Sequence, residues 1–396
     1  MTLSEELSWR GFVNQTTFKD IKELDKTPLT FYWGVDPSAP SMQVGNLAMA
    51  MMVRHFINHG HKAILLVGGA TGVIGDPDGK AQERDLKSLD EIAKNKAGIT
   101  AQYKQVFAGE DFEIVDNYDW FKDLGYLDFL RTVGKHMSMT QLLDREFVQS
   151  RIGKGGAGIS YAEFSYSLIQ GYDFLHLFRE KGVSLQVAGA DQWGNSISGV
   201  ELIRKLEGKE SHVWTGPLIV NKTTGVKFGK SEAGAVWLDP TQTSVFDFYQ
   251  FWLNVDDAGV IDYMKIYTLL SKEEVADYER QLKDSPAERG AQRALAYEVT
   301  KIVHGEEKAD AAAEATKQLF AGGDSELTPT VNLEPGSYNV TELVVKAGLA
   351  ASNSEARRLF DQGGIKLNQK KVENAEVVIA SGDLLQVGKR KFVKIA

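Results

Sequence analysis

A short buried strand that turns at once into a helix restricts the fold of this chain most. Residues 29–35 (LTFYWGV) are apolar and aromatic and follow a Thr-Pro pair, which is typical of a buried strand. Two prolines in residues 36–41 (DPSAPS) end the strand in a turn, and Gly45-Asn46 then opens a helix that ends at Gly60. The N–H groups at the start of such a helix have no partner within it and receive phosphate groups. The stretch therefore predicts a phosphate-binding site.

The same order of strand, loop and helix recurs along the first half of the chain. Residues 62–67 (KAILLV) form a second predicted strand, and a Gly-rich loop, residues 68–77, follows it. Residues 112–116 (FEIVD) and 183–187 (VSLQV) form a third and a fourth. Strands that alternate with helices predict an α/β fold, a doubly wound parallel sheet with helices on both faces. Such folds bind ligands at the carboxyl ends of the strands, where these loops lie.

Further along the chain the pattern changes twice. With 396 residues, 43% of them hydrophobic, the chain is long enough for two or three separate cores. We predict an α/β domain over residues 1–246 and a helical domain over 247–320, where a Ser-x-x-Glu capping box occurs at 271–274. Residues 321–336 contain Gly, Pro and Ser without periodicity and predict a linker. Residues 337–396 predict a small domain of two helices on a small sheet.

Charge is unevenly distributed between the last predicted domain and the rest. The whole chain carries a net charge of −9, whereas residues 337–396 hold ten Lys and Arg against six Asp and Glu. A basic module on an acidic body is typical of a protein with one face that meets a polyanion. The basic residues predicted to bind nucleic acid here are Arg357, Arg358, Lys389, Arg390 and Lys391. The alternative is an ordinary charged surface that only keeps the protein in solution.

Several classes of protein are excluded by what the sequence lacks. The chain has no cysteine, which excludes disulfides and thiolate metal sites and fits a cytosolic protein. Its seven histidines include no HExxH motif, so we predict no protein-bound metal. No run of about 18 apolar residues occurs, so we predict a cytoplasmic location and no membrane partner.

Two polar motifs lie where the phosphates of a nucleotide would bind. Ser38, Gln43 and Asn46 flank the start of the first predicted helix, and their neutral donors suit phosphate oxygens. The alternative for this QVGN motif is an ordinary helix N-cap. The KFGKS motif, residues 227–231, places two lysines and a hydroxyl on a Gly-containing loop that can close on a triphosphate. The alternative there is a solvated basic hairpin turn.

Two further motifs predict a pocket for a small polar substrate. In ADQWGN, Asp191 suits ribose hydroxyls and Gln192 suits a carboxylate or an α-phosphate, the alternative being an N-cap beside a core Trp. Tyr166, Gln170 and Asp173 are spaced i, i+4, i+7 and so lie on one helix face. Leu, Ile and Phe residues flank this stripe, which favours a pocket for an amino group and a hydroxyl. The alternative is a set of paired polar groups at a contact between helices.

Five motifs occur in one order and at compatible spacing along the chain. They are DPSAPS with QVGN, VGGATGVIGDP, YSLIQGYD, ADQWGN and VKFGKS. In this combination the chain resembles the bacterial-type tyrosyl-tRNA synthetases, class I aminoacyl-tRNA synthetases, over essentially its whole length. QVGN stands where that class has HIGH, and KFGKS where it has KMSKS. The resemblance implies a Rossmann-like catalytic domain, an α-helical anticodon-side domain and a small α+β S4-like RNA-binding domain.

The resemblance also implies a role for each polar residue. The implied tyrosine-binding residues are Tyr32 and Asp173 at the phenol hydroxyl, Asp76, Tyr166 and Gln170 at the ammonium group, and Gln192 beside the carboxylate. The implied ATP-binding residues are Gly34, Gly45, Gly189, Asp191 and Lys230, with Asp36 at the junction of the two substrates. The residues implied around the departing pyrophosphate are Ser38, Gln43, Lys80, Arg84, Lys227 and Lys230, and the implied catalytic set also includes Asn46 and Ser231. Arg151 and Lys154 join the terminal basic residues as tRNA-binding candidates.

A reaction and its partners follow from the same resemblance. The carboxylate of L-tyrosine attacks the α-phosphate of ATP, which Mg²⁺ accompanies, and a terminal ribose hydroxyl of tRNA(Tyr) then takes the tyrosyl group. The chemistry consists of positioning and charge stabilisation and needs no protein nucleophile. A homodimer is implied, and the region 125–161 supplies its candidate interface.

Two positions depart from the family pattern. Gln43 occupies the position of the first signature His, and Trp33 occupies a position near the ribose that is usually small. A Gln amide still donates to a phosphate, so we expect activity to be retained, whereas Trp33 would either narrow the ATP site or stack on a neighbour. The change at Gln43 leaves a paralogue that binds RNA without charging it as one alternative, and a generic adenylyltransferase is a second. The complete tyrosine pocket and the basic terminal domain favour the synthetase.

Overall fold

The structure, a computed structural model, describes most of the chain. The described residues are 1–77, 86–231, 234–321, 328–388 and 391–396. They form two compact units, which are Met1–Gln242 with Asp257–Lys283, and Thr243–Asp256 with Asp284–Ala396. This division differs from the predicted boundary at residue 246, because residues 257–283 belong to the first unit.

A six-stranded sheet forms the centre of the first unit. In chain order its strands are β1 (Gln15–Thr16), β2 (Thr30–Val35), β3 (Lys62–Val67), β4 (Phe112–Asp116), β5 (Leu185–Gly189) and β6 (His212–Gly216). Across the sheet the order is β1-β6-β5-β2-β3-β4, and all neighbours are parallel except β1 and β6. The predicted α/β fold is confirmed, with β1 and β6 as additional strands. Two further short strands, β7 (Lys230–Ser231) and β8 (Gly234–Ala235), pair antiparallel with each other.

The direction in which the chain crosses the sheet reverses at β2. From β2 the chain proceeds to β3 and β4 on one side, and it then returns to form β5 on the other side. A crevice opens at the carboxyl ends of the strands wherever the order reverses in this way. The crevice in this unit therefore lies between β2 and β5.

Helices cover both faces of this sheet. The α-helices of the described residues are α1 (Leu3–Arg10), α2 (Val44–Asn58), α3 (Thr71–Ile74), α4 (Leu89–Val106), α5 (Tyr118–Phe121), α6 (Tyr126–Thr132), α7 (Met139–Leu143), α8 (Glu146–Ile152), α9 (Tyr161–Lys181), α10 (Trp193–Glu207), α11 (Val245–Leu253), α12 (Val260–Tyr267), α13 (Lys272–Asp284), α14 (Gly290–His304), α15 (Glu306–Ala321), α16 (Val340–Lys346) and α17 (Asn353–Asp361). Phe31 of β2 packs against α2 and Trp33 against α4, whereas Tyr32 packs against α9. Successive side chains of a strand point to opposite faces, so β2 contacts both helical layers.

The second unit combines helices α11, α14 and α15 with a small sheet. The strands of this unit are β9 (Thr330–Val331), β10 (Gly336–Asn339), β11 (Ile365–Leu367), β12 (Lys370–Lys371), β13 (Glu376–Ile379), β14 (Leu384–Val387) and β15 (Lys391–Ile395). Five of them form a sheet in the order β12-β11-β14-β15-β9, and β10 pairs with β13. Because β9 pairs in parallel with β15, this part of the predicted linker 321–336 is a strand.

The small sheet of the second unit shares a buried core with two of its helices. Leu384 and Phe392 cluster with Phe246 of α11 and with Ala315 and Leu319 of α15. Helices α16 and α17 complete a second core with the other side of the sheet. Over the residues that the structure describes, no helix is both long and apolar enough to span a membrane.

Candidate active site

The crevice beside β2 and β5 is a cavity of about 280 Å³. Fifteen of the predicted site residues line it: Tyr32, Gly34, Asp36, Ser38, Gln43, Gly45, Asn46, Asp76, Tyr166, Gln170, Asp173, Gly189, Asp191, Gln192 and Lys227. Four others cannot be located there, because Lys80 and Arg84, and the side chains of Lys230 and Ser231, lie outside the described residues. Motifs that are far apart in the sequence thus meet in one place at the carboxyl edge of the sheet.

The buried end of the cavity, called the closed end below, holds the carboxylate of Asp173 and the hydroxyl of Tyr32. Asp173 on α9 is buried, and its two oxygens accept from Asn117 Nδ2 at 3.1 Å and Trp120 Nε1 at 2.9 Å. Burial raises the pKa of Asp173 well above its usual range, although these two hydrogen bonds oppose the shift. The Tyr32 hydroxyl is also buried and has no hydrogen-bond partner among the described residues. Burial, reinforced by Asp173, raises the pKa of Tyr32 as well.

A chain of hydrogen bonds connects this end to Asp36, the first residue after β2. The second hydrogen of Asn117 Nδ2 points to Thr71 Oγ1 at 3.0 Å, and Thr71 Oγ1 donates to Asp36 Oδ1 at 2.6 Å. Tyr166 Oη donates to the other Asp36 oxygen at 2.7 Å. Since Ala70 N donates to Asn117 Oδ1 at 2.6 Å, the orientation of the Asn117 amide is fixed. The network therefore holds both carboxylates in defined positions.

Sequence reasoning missed Thr71, Asn117 and Trp120. Thr71 lies in the Gly-rich loop after β3, whereas Asn117 directly follows β4 and Trp120 comes three residues later. Their position after strand ends was the available signal, because the carboxyl ends of parallel strands share one edge. Asn117 and Trp120 belong to none of the five motifs, whereas Thr71 belongs to VGGATGVIGDP, where only the glycines stood out.

Two glycines allow the loop after β3 to approach carboxylates. A Cβ on Gly68 would lie 2.1 Å from Asp36 Oδ1, and a Cβ on Gly69 would lie 2.2 Å from Asp116 Oδ1. The Gly69 N–H donates to that same Asp116 oxygen at 3.2 Å. Any side chain at either position would displace the carboxylates. This explains why the VGGATG stretch carries glycine at these two positions.

A carboxylate, Asp76, and an amide donor, Gln192, lie together midway along the cavity. Gln192 Nε2 donates to Asp76 Oδ2 at 2.5 Å. Asp36 and Asp76 concentrate negative charge around Tyr166, whose pKa is raised by burial and by these carboxylates. Negative charge beside an amide donor suits a ligand that carries an ammonium group next to a carboxylate.

The open end of the cavity contains the start of α2. The Gln43 N–H donates to Asn46 Oδ1 at 3.0 Å, so the side chain of Asn46, at the third helical position, accepts from the N–H of the N-cap residue Gln43. The KFGKS segment lies beside it, since Val44 N donates to Val236 O at 3.1 Å and Gly229 packs on Val44. The N–H groups of this first helical turn have no acceptor within the helix. Capping and anion binding are therefore compatible here.

Of the two roles considered for Trp33, narrowing the ATP site or packing on a neighbour, the structure shows packing on neighbouring aromatic rings. Its ring lies 5.4 Å from Tyr103 and 6.4 Å from Phe107, between the sheet and α4. The side chain is buried on the face of β2 opposite to Tyr32. The tryptophan ring packs in tilted and edge-on contacts with these two neighbours.

One predicted tRNA contact is wrong. Arg151 is buried, and it donates to Glu163 Oε2 at 2.8 Å and to Gly158 O at 2.6 Å, so its guanidinium is not available to a polyanion. Lys154 is exposed, as are Arg357, Arg358 and Lys391. Lys389 and Arg390 lie outside the described residues. Within the described part of the chain, no group of three or more His, Asp or Glu is placed to hold a metal ion.

Comparison with known proteins identifies the family. Residues 24–321 match the family described as tRNA synthetases class I (W and Y), and residues 321–393 match the Tyrosine--tRNA ligase SYY-like C-terminal domain. The tyrosine--tRNA ligase of Bacillus caldotenax is 42% identical over 419 aligned positions, which cover 100% of this chain and 99% of that protein. The tyrosine--tRNA ligase of Limosilactobacillus reuteri is 41% identical and covers 96% and 94%.

Solved structures agree with these relatives. A C-terminally truncated mitochondrial tyrosyl-tRNA synthetase of Aspergillus nidulans superposes with a TM-score of 0.73 at 29% identity, covering 80% of this chain and 94% of that one. The chain therefore belongs to the class I tRNA synthetases of the tryptophan and tyrosine group. Within that group it belongs to the tyrosine--tRNA ligases, since full-length relatives above 40% identity carry that name.

Proposed function

We propose that this tyrosine--tRNA ligase binds L-tyrosine with the phenol hydroxyl between Tyr32 and Asp173. The observation that supports the proposal most strongly is the pair of groups at the closed end. Asp173 is an oriented acceptor, and the Tyr32 hydroxyl is buried without a partner in the described part of the chain. A phenol donates to the first and accepts from the second. Phenylalanine would leave the Tyr32 hydroxyl without a partner and would give Asp173 no donor beyond Asn117 and Trp120. Enzymes of this class are the standard example of such rejection.

The amino-acid head group then lies midway along the cavity. In this proposal Asp76, Tyr166 and Gln170 surround the ammonium group, and Gln192 lies beside the carboxylate. The negative charge of Asp36 and Asp76 favours an ammonium group at this position. Asp36 lies nearest to the junction with ATP, because it directly follows β2 at the edge of the sheet.

The triphosphate occupies the open end. The nucleotide passes Gly34, Gly45, Gly189 and Asp191, and its phosphates meet the start of α2, where the Gln43 amide donates in place of a histidine. Lys227 lines the cavity and is exposed, which suits a cation that closes on bound pyrophosphate. We include Lys80, Arg84, Lys230 and Ser231 in this role as predictions from the sequence. Mg²⁺ enters with ATP as part of the substrate.

The chemistry follows from this placement. The carboxylate of tyrosine attacks the α-phosphate, the bond to the β-phosphate breaks, and pyrophosphate leaves with the electron pair. Tyrosyl-adenylate then transfers its tyrosyl group to a terminal ribose hydroxyl of tRNA(Tyr), and AMP leaves. The protein contributes alignment at one end and positive charge or N–H donors where charge develops at the other.

The second unit and the surface of the first unit support proposals about partners. We assign residues 337–396 to an S4-like RNA-binding domain whose exposed Arg357 and Arg358 meet tRNA. Within the region 125–161, Tyr126 is 62% exposed, Leu127 78% and Tyr161 64%, and such exposed apolar surface supports a homodimer. A cytoplasmic location stays a prediction.

Pyrophosphate exchange tests the proposed function. The purified chain is incubated with ATP, Mg²⁺ and labelled pyrophosphate, and with tyrosine, tryptophan or phenylalanine in parallel. We expect rapid exchange with tyrosine, and rates at least about 1000-fold lower in kcat/KM with the other two. Exchange with none of them would support the RNA-binding paralogue instead. Equal exchange with tyrosine and phenylalanine would contradict the role of Asp173.

A further inference from the structure

The amide of Gln192 has to face the right way to bind a carboxylate. Its nitrogen donates and its oxygen only accepts, and the two ends have nearly the same shape. Here Nε2 donates to Asp76 Oδ2 at 2.5 Å, and Oε1 accepts from Asn195 Nδ2 at 3.2 Å. With the amide reversed, two oxygens would face each other at Asp76 and the donor would be turned away from the substrate.

Asn195 is itself oriented from outside the cavity. Its side chain is buried, at 3% exposure, on the first turn of α10. Arg145 Nη1 donates to Asn195 Oδ1 at 3.5 Å, and Arg145 Nη2 donates to Ser198 Oγ at 2.6 Å. A guanidinium has donors only, so it selects the Asn195 orientation with the oxygen towards Arg145. The Asn195 nitrogen then faces Gln192.

We propose that Asn195 is a positioning residue for tyrosine activation, and that Arg145 assists it by fixing the Asn195 amide. The two residues act in series on Gln192, which alone touches the substrate. This inference rests on the proposed contact between Gln192 and the carboxylate of tyrosine. It adds a requirement that the motif alone did not indicate, since Asn195 ends the ADQWGN string without lining the cavity.

Asn195→Asp tests the orientation directly, because it keeps the shape and removes the donor. Its carboxylate would repel Gln192 Oε1, so the Gln192 amide would turn or withdraw. We expect kcat/KM for tyrosine in pyrophosphate exchange to fall about 10- to 100-fold, close to the loss in Gln192→Ala. The KM for ATP should stay near that of the unmodified chain.

Ser196→Ala is the matched control. Ser196 is also buried, and its Oγ donates to the backbone oxygen of Gln192 at 2.8 Å. This change removes a buried hydrogen bond to the same residue without touching its amide. We expect exchange within about twofold of the unmodified chain. Thermal unfolding of both variants reports any general loss of structure.

A double-mutant cycle separates positioning from simple damage. In a Gln192→Ala background, Asn195→Asp should cost no further activity, because the amide on which it acts is gone. Arg145→Met should lower kcat/KM about 3- to 10-fold alone and have no effect in that background. Additive losses in the cycle, or an Asn195→Asp chain with unchanged exchange, would overturn the proposal.

Failure of this inference is distinguishable from failure of the proposed function. If the unmodified chain exchanges with tyrosine but Gln192→Ala is fully active, the role of Gln192 and this inference are wrong while tyrosine activation stands. If the unmodified chain shows no exchange with tyrosine, the proposed function itself is wrong.

Discussion

The two ends of the cavity are built in different ways. At the closed end, Asp173 comes from the long helix α9 and Tyr32 from the central strand, and both are buried. At the open end, the lining comes from the start of α2 and from the segment around Lys227, which is exposed. The first arrangement fixes positions before a ligand arrives, whereas the second leaves charged groups in water.

In the proposed function, this difference corresponds to a division between selection of the amino acid and catalysis. Rejecting an amino acid that lacks one hydroxyl requires buried groups that stay unpaired when the wrong ligand enters. Stabilising a departing pyrophosphate requires groups whose contacts become strongest in the transition state, which mobile side chains can provide. Substitutions at the closed end should therefore change affinity and specificity, and those at the open end should change the rate.

The largest effect is expected from Asp173→Ala, which removes the acceptor at the closed end. Trp120 Nε1 would lose its partner, Asn117 Nδ2 would keep only Thr71 Oγ1, and the phenol of tyrosine would lose its acceptor. We expect kcat/KM for tyrosine to fall at least about 1000-fold, with the loss visible in the Kd for tyrosine. Equilibrium binding measures the Kd for tyrosine, and pyrophosphate exchange measures kcat/KM.

Lys227→Ala is the comparison at the open end. It should slow adenylate formation while tyrosine still binds. A weaker affinity for tyrosine in this variant would contradict the division between the two ends.

A smaller effect is expected from Gln43→Ala at the open end. The backbone of Gln43 donates to Asn46 and pairs with Trp237, and alanine keeps both interactions. The change therefore removes only the amide donor to the phosphates, and we expect about tenfold slower adenylate formation with an unchanged Kd for tyrosine. Single-turnover measurement of tyrosyl-adenylate tests this, with Gln43→His as the variant that should retain the rate. An unaltered rate in Gln43→Ala would reject the role of the amide.

The smallest expected effect is a dependence of specificity on pH. Burial raises the pKa of Asp173, so this carboxyl takes up a proton at a higher pH than an ordinary aspartate does. The ionised form is the better acceptor for the phenol, so lowering the pH through the raised pKa should reduce kcat/KM for tyrosine severalfold. Phenylalanine has no hydroxyl, so kcat/KM for phenylalanine should depend less on pH. The ratio of kcat/KM for tyrosine to that for phenylalanine should therefore decrease as the pH falls. Parallel profiles would show that Asp173 does not titrate in this range.

The sequence predicted the frame of the molecule and most of its cavity. Strands β2, β3 and β5 are each an apolar run followed by a Gly- or Pro-containing loop, and such local patterns are readable without coordinates. The two-residue strands β1 and β9 are too short to show a period, so they were missed and part of the predicted linker is a strand. Composition could not reveal them.

Contacts between residues far apart in the sequence explain the remaining differences between the predicted and the observed site. Arg151 reads as a surface cation until Glu163 is known to lie 2.8 Å away in the interior. Asn117 serves the site only because β4 ends next to β3, a neighbourhood that the sheet order creates. Such contacts depend on which elements meet, and one sequence does not state that directly.

The two faces of β2 have one more consequence. Tyr32 forms a wall of the substrate slot while the adjacent Trp33 anchors the same strand to the aromatic layer behind the sheet. Repacking that rear layer would tilt the strand and shift the Tyr32 hydroxyl, which we propose contacts the phenol, without altering any group in the proposed substrate contacts. In the proposed binding mode, substitutions in this rear aromatic layer would therefore change amino-acid selectivity, although its residues do not contact the substrate.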